Sequence, residues 1–341
     1  MAKKVLLAGR AVGEGEPVYI VSEGGLTNWG DVQLAKKQID AAAIAKCDAI
    51  KFQAQTTEVL ISRKVSPYWY DRLKYKELSH DELAKLYTYA KKRGIQCFIT
   101  AHTEVDLDFL DKELNAPFFK VGSGESLNLE FLESVGSRGK PVVISFGLHK
   151  TEDEVRTSVA ALERGGCREI VILHCNTVYP TPPEKSDLRM ITRYKDMFDY
   201  PIGYSDHTVG WHIPLAAVAL GASMIEKHQS FDKTDTRSFD CPVSTTPEEL
   251  VVMVQQIRDI EASMEHSSRA RAAELDAARK WARQSIVAAV DVRKGEVITR
   301  EKIALKRPGT GLGPDKLDSV LGKKSLRSIA SDELILEQDV E

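Results

Sequence analysis

Short apolar segments alternate with longer amphipathic segments from residue 17 to residue 260 of the chain. The apolar segments have strand length and are hydrophobic on both faces, which is typical of strands buried in a parallel sheet. Strands are therefore predicted over residues 18–23, 49–53, 96–100, 118–121, 141–145, 169–174, 201–205 and 223–228. The intervening segments are predicted as helices over 31–46, 80–93, 105–112, 128–135, 152–164, 187–197, 213–220 and 247–260.

Eight successive strand–helix pairs of this length predict an α/β protein with a (β/α)8 TIM barrel over residues 1–260. A doubly wound open sheet is the alternative, and it usually carries a GxGxxG or GxxxxGK[ST] motif in an early turn. The sequence has neither motif. Polar residues also follow nearly every predicted strand, whereas an open sheet gathers its polar groups at one switch point.

The amino-acid composition and the residue pattern change twice after the predicted barrel. Residues 261–284 are highly charged and rich in alanine and arginine, which predicts a helical linker. Residues 285–341 contain short β-rich segments separated by turn signals such as Pro308-Gly309, and they predict a small β-rich second domain.

Composition indicates which classes of partner and which cellular compartment to expect. The 341 residues are 43% hydrophobic and 28% charged with a formal net charge of -3, so nothing favours nucleic acid or an anionic membrane surface as a partner. No apolar run approaches the roughly 20 residues of a membrane span, and the N-terminal apolar patch is too short for a secretory signal. The 5 cysteines are widely spaced and form no CxxC pair. We therefore expect a cytoplasmic protein.

Two histidines follow consecutive predicted strands near the end of the barrel. His207 comes after residues 201–205 and His228 ends residues 223–228, with Asp206 and Glu226 beside them. Because neighbouring parallel strands end side by side, the two imidazoles could share one divalent metal that keeps open positions for a substrate. The alternative is that one or both are ordinary hydrogen-bonded core histidines.

The other strand ends supply groups of two chemical kinds. The first kind suits a phosphate or carboxylate, and it comprises Lys51, Lys120, the hydroxyls of Ser123, Ser145 and Ser205, and the backbone of residues 121–124. The second kind, Glu23, Glu125 and Tyr179, suits proton transfer or recognition of sugar hydroxyls. An anion site beside an open metal site indicates a phosphate-bearing substrate and an activated carbonyl group.

These residues stand in motifs that resemble the sialic acid synthases, also called N-acetylneuraminate or nonulosonate synthases. The matching motifs are KFQ at 51–53, FKVGSGE at 119–125, PVVIS at 141–145, LHCNTVYPT at 173–181, IGYSDHT at 202–208 and EKH at 226–228. The tail resembles the antifreeze-like (SAF) domain of that family at residues 286–294 and 307–311. The resemblance covers most of the chain.

The resemblance implies a transferase that joins phosphoenolpyruvate to the open-chain aldehyde of an N-acetylmannosamine-like amino sugar, releasing phosphate and a nonulosonic acid. It implies Mn²⁺, or Mg²⁺ or Co²⁺, on His207 and His228. Phosphoenolpyruvate is then expected on Lys51, Lys120, Ser123, Ser145 and Ser205, and the sugar on Gln53, Glu125, Tyr179 and Arg307. The expected catalytic residues are Glu23, Glu125, Tyr179 and Asp206. It also implies a domain-swapped homodimer in which Arg307 reaches the partner's barrel.

Three loops depart from the family pattern, after the first, third and eighth strands. The first has no histidine after Glu23, the third reads TAHT at 100–103, and the eighth reads QSFD at 229–232 with Asp240-Cys241 further on. The acceptor sugar is therefore open. A related 2-keto-3-deoxy sugar acid synthase with a different or phosphorylated aldose is one alternative, and a non-catalytic sugar-binding or scaffold protein is another.

Overall fold

The computed structural model describes residues 4–264 and 268–341, with side chains from residue 275 onward in the second stretch. The chain divides into two compact units, residues 1–264 and residues 265–341. The predicted boundaries at residues 260 and 285 stay predictions, and residues 265–267 of the predicted linker lie outside the described residues.

The first unit is a closed barrel of eight parallel strands. In chain order they are β3 (Tyr19–Glu23), β4 (Ala49–Ala54), β5 (Gln96–Ala101), β6 (Phe119–Val121), β7 (Val142–Phe146), β8 (Ile170–Cys175), β9 (Ile202–Asp206) and β10 (Met224–His228). Each strand pairs with the next along the chain, and β10 pairs with β3 to close the barrel. The predicted TIM-barrel fold is therefore confirmed.

Helices surround this barrel, and several of them begin at a side-chain cap. They are α1 (Val32–Ile44), α2 (Thr57–Leu60), α3 (Pro67–Lys74), α4 (His80–Lys92), α5 (Glu104–Asp108), α6 (Leu129–Ser137), α7 (Glu152–Arg164), α8 (Arg189–Met197), α9 (His212–Ala219) and α10 (Pro247–Met264). At the start of α10, Thr246 and Glu249 exchange side-chain-to-backbone hydrogen bonds of 2.9 and 3.3 Å, which satisfies two donors that a helix start leaves open.

Two apolar layers hold the barrel together. The residues that face the helices form the larger layer, and the inward residues form a second layer around Tyr19, Phe98 and Phe118. An antiparallel hairpin of β1 (Val5–Leu7) and β2 (Arg10–Val12) adds Val5, Leu7 and Val12 to the inner layer. Apolar side chains therefore fill the N-terminal part of the interior, and the polar side chains gather at the C-terminal mouth.

The second unit contains α11 (Ser268–Ala282) and a small β-rich domain. Strands β11 (Ser285–Ala288) and β12 (Ile303–Lys306) pair antiparallel, and 3-10 turns occupy Arg300–Lys302, Pro314–Ser319 and Glu337–Asp339. Buried apolar side chains, including Ile286, Val320 and Ile335, give this domain its own core. No helix within residues 4–264 or 268–341 is long and apolar enough to cross a membrane.

Candidate active site

The alternation of strand side chains decides which polar groups enter the barrel mouth. Residues two apart in a strand point to the same face, so β10 directs Met224, Glu226 and His228 inward while Lys227 points outward. The same alternation brings polar side chains from other strands into the mouth, and they are buried: Glu23, Lys51, Thr100, Lys120, Ser145, Ser205 and His207.

Lys51 lies between two carboxylates inside the mouth. Its Nζ is 3.2 Å from Glu23 Oε2, 3.2 Å from Glu226 Oε1 and 3.2 Å from Thr100 Oγ1. Burial alone would lower the pKa of Lys51, but Glu226 and Glu23 outweigh burial and raise it. Burial would likewise raise the pKa of Glu226, but Lys51 and then Lys120 outweigh it and lower that pKa to about 2. Both groups are therefore charged at neutral pH.

Lys120 is the second buried ammonium group of the mouth. It donates to Ser145 Oγ at 2.6 Å and to the carbonyl of Val121 at 2.9 Å. Burial lowers its pKa, because charge is costly away from water. A bound anion would stabilise the two buried ammonium groups and accept a hydrogen bond from the nearby hydroxyl, because the protein itself supplies only part of the counter-charge.

Ser123 and Ser205 are the remaining predicted anion-binding residues. Ser123 Oγ accepts from the amide of Gly147 at 2.9 Å and lies 3.2 Å from Cys175 Sγ. Ser205 donates to Glu226 Oε1 at 3.1 Å. Gln53 donates to Glu23 Oε1 at 2.8 Å. The predicted sugar-binding residue Gln53 and the predicted catalytic residue Glu23 therefore contact each other directly.

His207 and His228 meet at the end of β9 and β10. Their ring centroids are 5.4 Å apart, and both side chains are buried. His207 Nδ1 lies 2.6 Å from the carbonyl of Asn176, and Nε2 lies 2.8 Å from the hydroxyl of Tyr179. The carbonyl can only accept, which places the proton on Nδ1 and leaves a lone pair on Nε2. Burial, and then His228, lowers the pKa of His207 to about 3, so this imidazole is neutral.

The histidine pair fits a divalent metal that takes its other ligands from water or substrate. Within the described residues His228 Nδ1 is buried without a hydrogen-bond partner. Neutral imidazoles are the ligating form of histidine. No group of three or more His, Cys, Asp or Glu residues is arranged to hold a metal in the part of the chain that the structure describes. The metal stays a prediction, and the protein would give it two imidazoles rather than a complete ligand set.

Asp240 also lies at this end of the mouth, although it has no predicted role. A Cβ built on Gly25 would lie 3.2 Å from His228 Nδ1, 3.3 Å from Asp240 Oδ2 and 3.4 Å from Glu23 Oε1, so the three groups surround one glycine. Asp240 also acts on Tyr179: burial, followed by the charge of Asp240, raises the pKa of that phenol well above its usual value. Asp240 lies in the long loop after β10, where no periodic pattern predicts the position of a side chain.

His102 and Glu125 form a pair after β5 and β6, three or four strands around the barrel from β9 and β10. His102 Nδ1 lies 3.0 Å from Glu125 Oε1, and the side chains are 16% and 11% exposed. His102 Nε2 and Glu125 Oε2 are buried and have no hydrogen-bond partner among the described residues. Glu125 is predicted both as a catalytic residue and as a sugar-binding residue, and His102 has no predicted role.

Asp206 is the predicted catalytic residue that the structure does not bring into this group. Its carboxylate accepts from Lys227 Nζ at 2.5 Å, from the Tyr204 hydroxyl at 3.1 Å and from the Thr208 hydroxyl at 2.9 Å. Because Asp206 directly precedes His207 in an extended strand, the two side chains point to opposite faces. Asp206 therefore faces the helices and neutralises a buried lysine, which corrects its assignment to catalysis.

Arg307 belongs to the second unit and is described there alone. Its guanidinium lies 5.7 Å from the centre of the Trp281 ring, and its side chain is exposed. It lines a pocket with Arg283, Gly309 and Gly311 of the same unit. Its predicted place at the sugar of a partner subunit stays a prediction.

A closed parallel barrel with charged groups gathered inside its C-terminal mouth defines a TIM-barrel protein with a polar site where such barrels hold their active sites. The NeuB family matches residues 38–269, and the SAF domain matches residues 283–341. The chain belongs to the NeuB family, and the resemblance to sialic acid synthases is confirmed.

Several relatives are similar over nearly their whole length. An uncharacterized protein of Methanocaldococcus jannaschii is 39% identical, covering 99% of each chain. N-acetylneuraminate-9-phosphate synthase of Mus musculus is 34% identical over 98% of this chain and 96% of that protein. N,N'-diacetyllegionaminic acid synthase of Campylobacter jejuni is 34% identical over 93% and 98%. The structure of an N-acetylneuraminic acid synthetase from Leptospira borgpetersenii matches 81% of this chain and 96% of that chain, with 32% identity and a TM-score of 0.75.

Proposed function

We propose that this chain condenses phosphoenolpyruvate with the open-chain aldehyde of an N-acetylmannosamine-like amino sugar and releases a nonulosonic acid and phosphate. The observation that carries the proposal is the mouth itself, where two buried ammonium groups, several hydroxyls and a pair of buried imidazoles lie at the same C-terminal end of the barrel. Relatives named as sialic and legionaminic acid synthases support the same reaction class.

The two lysines suit the donor substrate. Phosphoenolpyruvate carries a phosphate and a carboxylate, and Lys51 and Lys120 offer one cation for each, with Ser145 bonded to Lys120 at 2.6 Å. Ser123 and Ser205 add hydroxyls at the margins of this anion site. The charges of Glu23 and Glu226 hold Lys51 in place before the substrate arrives, so little reorganisation is needed on binding.

The imidazole pair suits the acceptor aldehyde. His207 and His228 would hold Mn²⁺, or Mg²⁺ or Co²⁺, which when bound would polarise the aldehyde oxygen and so make its carbon a better electrophile. Tyr179 donates its hydroxyl to His207 Nε2 in this structure, and burial keeps that phenol protonated. Tyr179 therefore sits where it can donate to an acceptor oxygen once His207 takes another partner.

The reaction then forms two bonds, one from C3 to the aldehyde carbon and one from a water oxygen to C2, and breaks the C2–O bond to phosphate. C3 of phosphoenolpyruvate forms the new bond to the aldehyde carbon, whose oxygen becomes a hydroxyl by taking a proton. Water adds at C2, and the C2–O bond to phosphate breaks to leave the 2-keto acid. We assign the orientation of this water, or the acceptance of its proton, to Glu23, and the contacts of Glu23 with Gln53 and Lys51 beside the anion site support this assignment.

The test is phosphate release from phosphoenolpyruvate across a panel of free and phosphorylated 2-acetamido sugars, with Mn²⁺ and with mass analysis of the product. We expect phosphate only when phosphoenolpyruvate, metal and an acceptor are all present, and we expect EDTA to abolish it. Turnover that survives EDTA would remove the metal from the proposal. Sugar binding without any consumption of phosphoenolpyruvate would favour the non-catalytic alternative.

A further inference from the structure

We infer that Lys76 is a positioning residue, whose ammonium group links the loop after β3 to the loop after β10 and so holds the Asp240 carboxylate beside His228. The inference rests on the proposed function and adds a residue that the reaction described above does not use. Lys76 follows α3 and is 3% exposed. A lysine is rarely this buried unless neighbouring groups compensate its charge.

The ammonium group of Lys76 contacts both loops. It donates to the carbonyl oxygen of Arg237, in the loop after β10, at 2.9 Å. It also lies 5.1 Å from the centre of the Trp29 ring, in the loop after β3. The guanidinium of Arg237 lies 4.1 Å from the centre of the same ring. Cations are attracted to the face of an indole ring, so both contacts draw the two loops together.

Trp29 stands in a backbone conformation that its surroundings must support. Its φ is +57, a left-handed value that is rare for a bulky residue and is found where the structure around it imposes it. Gly30 follows with φ +71, and a Cβ there would lie 3.2 Å from the carbonyl oxygens of Tyr75 and Glu77. This turn is therefore packed directly against the segment that carries Lys76.

The two loops meet a second time beside the histidine pair. Asp240 Oδ2 accepts from the backbone amide of Leu26 at 3.4 Å, which is a long hydrogen bond. Trp29 lies three residues after Leu26, and Arg237 lies three residues before Asp240. The loops are thus joined at two places, and the shorter hydrogen bond is the one at the buried ammonium group. The carboxylate at the other contact is the one that adjoins His228.

Charge acts in the same direction as these contacts. Burial lowers the pKa of Lys76, and Asp240 is the group whose charge opposes this lowering most strongly. Opposite charges attract more strongly where little water separates them. Lys76 therefore holds the loop of Asp240 through the Arg237 carbonyl and attracts the Asp240 carboxylate itself.

The first test measures the link between the loops without using activity. Lys76→Met keeps most of the buried side-chain volume and removes both the charge and the donor. In the full chain, hydrogen exchange followed by mass spectrometry should show amides of residues 24–30 and 229–240 exchanging about tenfold faster or more, the size expected for one lost hydrogen bond from a charged group. Unchanged exchange in both loops overturns the inference.

Lys140→Met is the matched control for this test. Lys140 also donates to an oxygen, Asp111 Oδ1 at 2.8 Å, and also lies over a ring, 5.3 Å from the centre of Phe119. It precedes β7, at the end of the barrel away from the mouth. Its replacement should leave exchange in residues 24–30 and 229–240 unchanged.

The second test asks whether Lys76 acts through Asp240. In the phosphate-release assay Lys76→Met should lower kcat about tenfold and change the KM for phosphoenolpyruvate less than about twofold. Asp240→Asn should lower kcat at least as much, and the double variant should lose no more than Asp240→Asn alone. Lys76→Arg keeps the charge and a donor and should recover most of the loss.

Independent, multiplying losses in the double variant would overturn the inference, as would full activity in Asp240→Asn. A wild-type chain that releases no phosphate with any acceptor defeats the proposed function instead. The exchange measurement then decides by itself whether Lys76 links the two loops.

Discussion

In the proposed function the two imidazoles at the mouth, each at the end of a strand, hold the metal. His207→Ala and His228→Ala should lower the rate of phosphate release by at least the roughly 10–100-fold that disturbing a metal environment costs, and should weaken Mn²⁺ binding. Circular dichroism should show an intact fold. Isothermal titration with Mn²⁺ gives a readout that does not depend on activity.

The control for this prediction is His212→Ala. His212 is an exposed histidine at the start of α9, and it is not among the residues of the mouth. Its loss should leave both Mn²⁺ binding and phosphate release unchanged. Near wild-type activity in either His207→Ala or His228→Ala would contradict the metal assignment.

Gly25 is the residue around which the acceptor end of the mouth is built. Its backbone has φ +48, and a Cβ there would crowd His228 Nδ1, Asp240 Oδ2 and Glu23 Oε1 at 3.2–3.4 Å. Gly25→Ala should therefore lower kcat/KM on the order of tenfold or more, because misplacing reacting groups by a fraction of an ångström is costly.

Gly94→Ala separates crowding from backbone strain. Gly94 has φ +73 and no atom within 4 Å of its Cβ position, so alanine meets only the left-handed backbone cost of about 1–2 kcal/mol. In thermal unfolding Gly25→Ala should lose at least as much stability as Gly94→Ala, because it adds crowding to the backbone cost, and only Gly25→Ala should lose activity. Equal activity in the two variants would show that the Gly25 pocket does not constrain the site.

At the scale of strands, Asp206 and Lys227 tie β9 to β10 on the face that packs against the helices. Both side chains are fully buried, and Lys227 also donates to the carbonyl of Thr208 at 2.7 Å. Asp206→Asn leaves a buried ammonium without its charge partner and should cost about 3–5 kcal/mol of unfolding free energy. Urea denaturation measures that loss.

The double variant Asp206→Leu with Lys227→Met tests the same tie from the other direction. Replacing both partners by apolar groups removes the unpaired charge and should recover most of the lost stability. Recovery of phosphate release along with stability would agree with a structural role. A stable but inactive double variant would return Asp206 to the catalytic group.

The strand and helix pattern was predictable because period-two and period-3.6 patterns are local. Predicted strands at residues 223–228 and 169–174 lie within one residue of β10 and β8. The period of two could also have predicted that Asp206 faces the helices, because adjacent residues of a strand point to opposite faces and His207 faces inward. Asp240 and the His102–Glu125 contact could not be predicted, because each depends on a loop path that brings distant residues together.

Within the second unit, Asp339 joins the last turn of the chain to Arg327. Arg327 donates to its two carboxylate oxygens at 2.7 and 3.0 Å, and the backbone amide of Leu336 donates at 2.9 Å. Asp339→Asn should therefore cost about 1–3 kcal/mol of opening free energy, measured by hydrogen exchange of this unit. Asp332→Asn is the matched control, because its ion pair with Lys306 is exposed and should be worth about 0–1 kcal/mol.

The same pair has a defined pH dependence. Arg327 lowers the pKa of Asp339 below its ordinary value of 3.8. A depressed carboxylate stabilises the folded state fully above the unfolded pKa, and this contribution is lost as the pH falls through the lower folded pKa. The difference between wild type and Asp339→Asn should thus be constant from neutral pH to about pH 5 and should shrink below about pH 4. A difference that persists at low pH would point to packing rather than charge.

For the whole molecule, the expected domain-swapped homodimer predicts that two different inactive subunits can complement each other. If Arg307 acts in the partner's barrel, a His228→Ala subunit has an inactive barrel but can still supply Arg307 to its partner. An Arg307→Ala subunit has an intact barrel but cannot supply the arginine. A heterodimer of the two contains one complete site. Random pairing at equal expression gives half heterodimers, so at acceptor concentrations well below the KM of Arg307→Ala the mixture should recover about a quarter of wild-type turnover.

Coexpression of the two variants under different tags, with purification through both tags, isolates the heterodimer, which should recover about half of wild-type turnover because one of its two sites is complete. Arg307→Ala alone should raise the KM for the acceptor more than the KM for phosphoenolpyruvate, because the tail is proposed to contact the sugar. Arg293→Ala changes another exposed arginine of the same unit and should leave both KM values unchanged. Doubly tagged heterodimers with no more activity than either parent would place Arg307 outside the partner's site. Equal effects of Arg307→Ala on both KM values would instead indicate loss of the dimer, because a missing sugar contact cannot weaken binding at the buried lysines of the barrel.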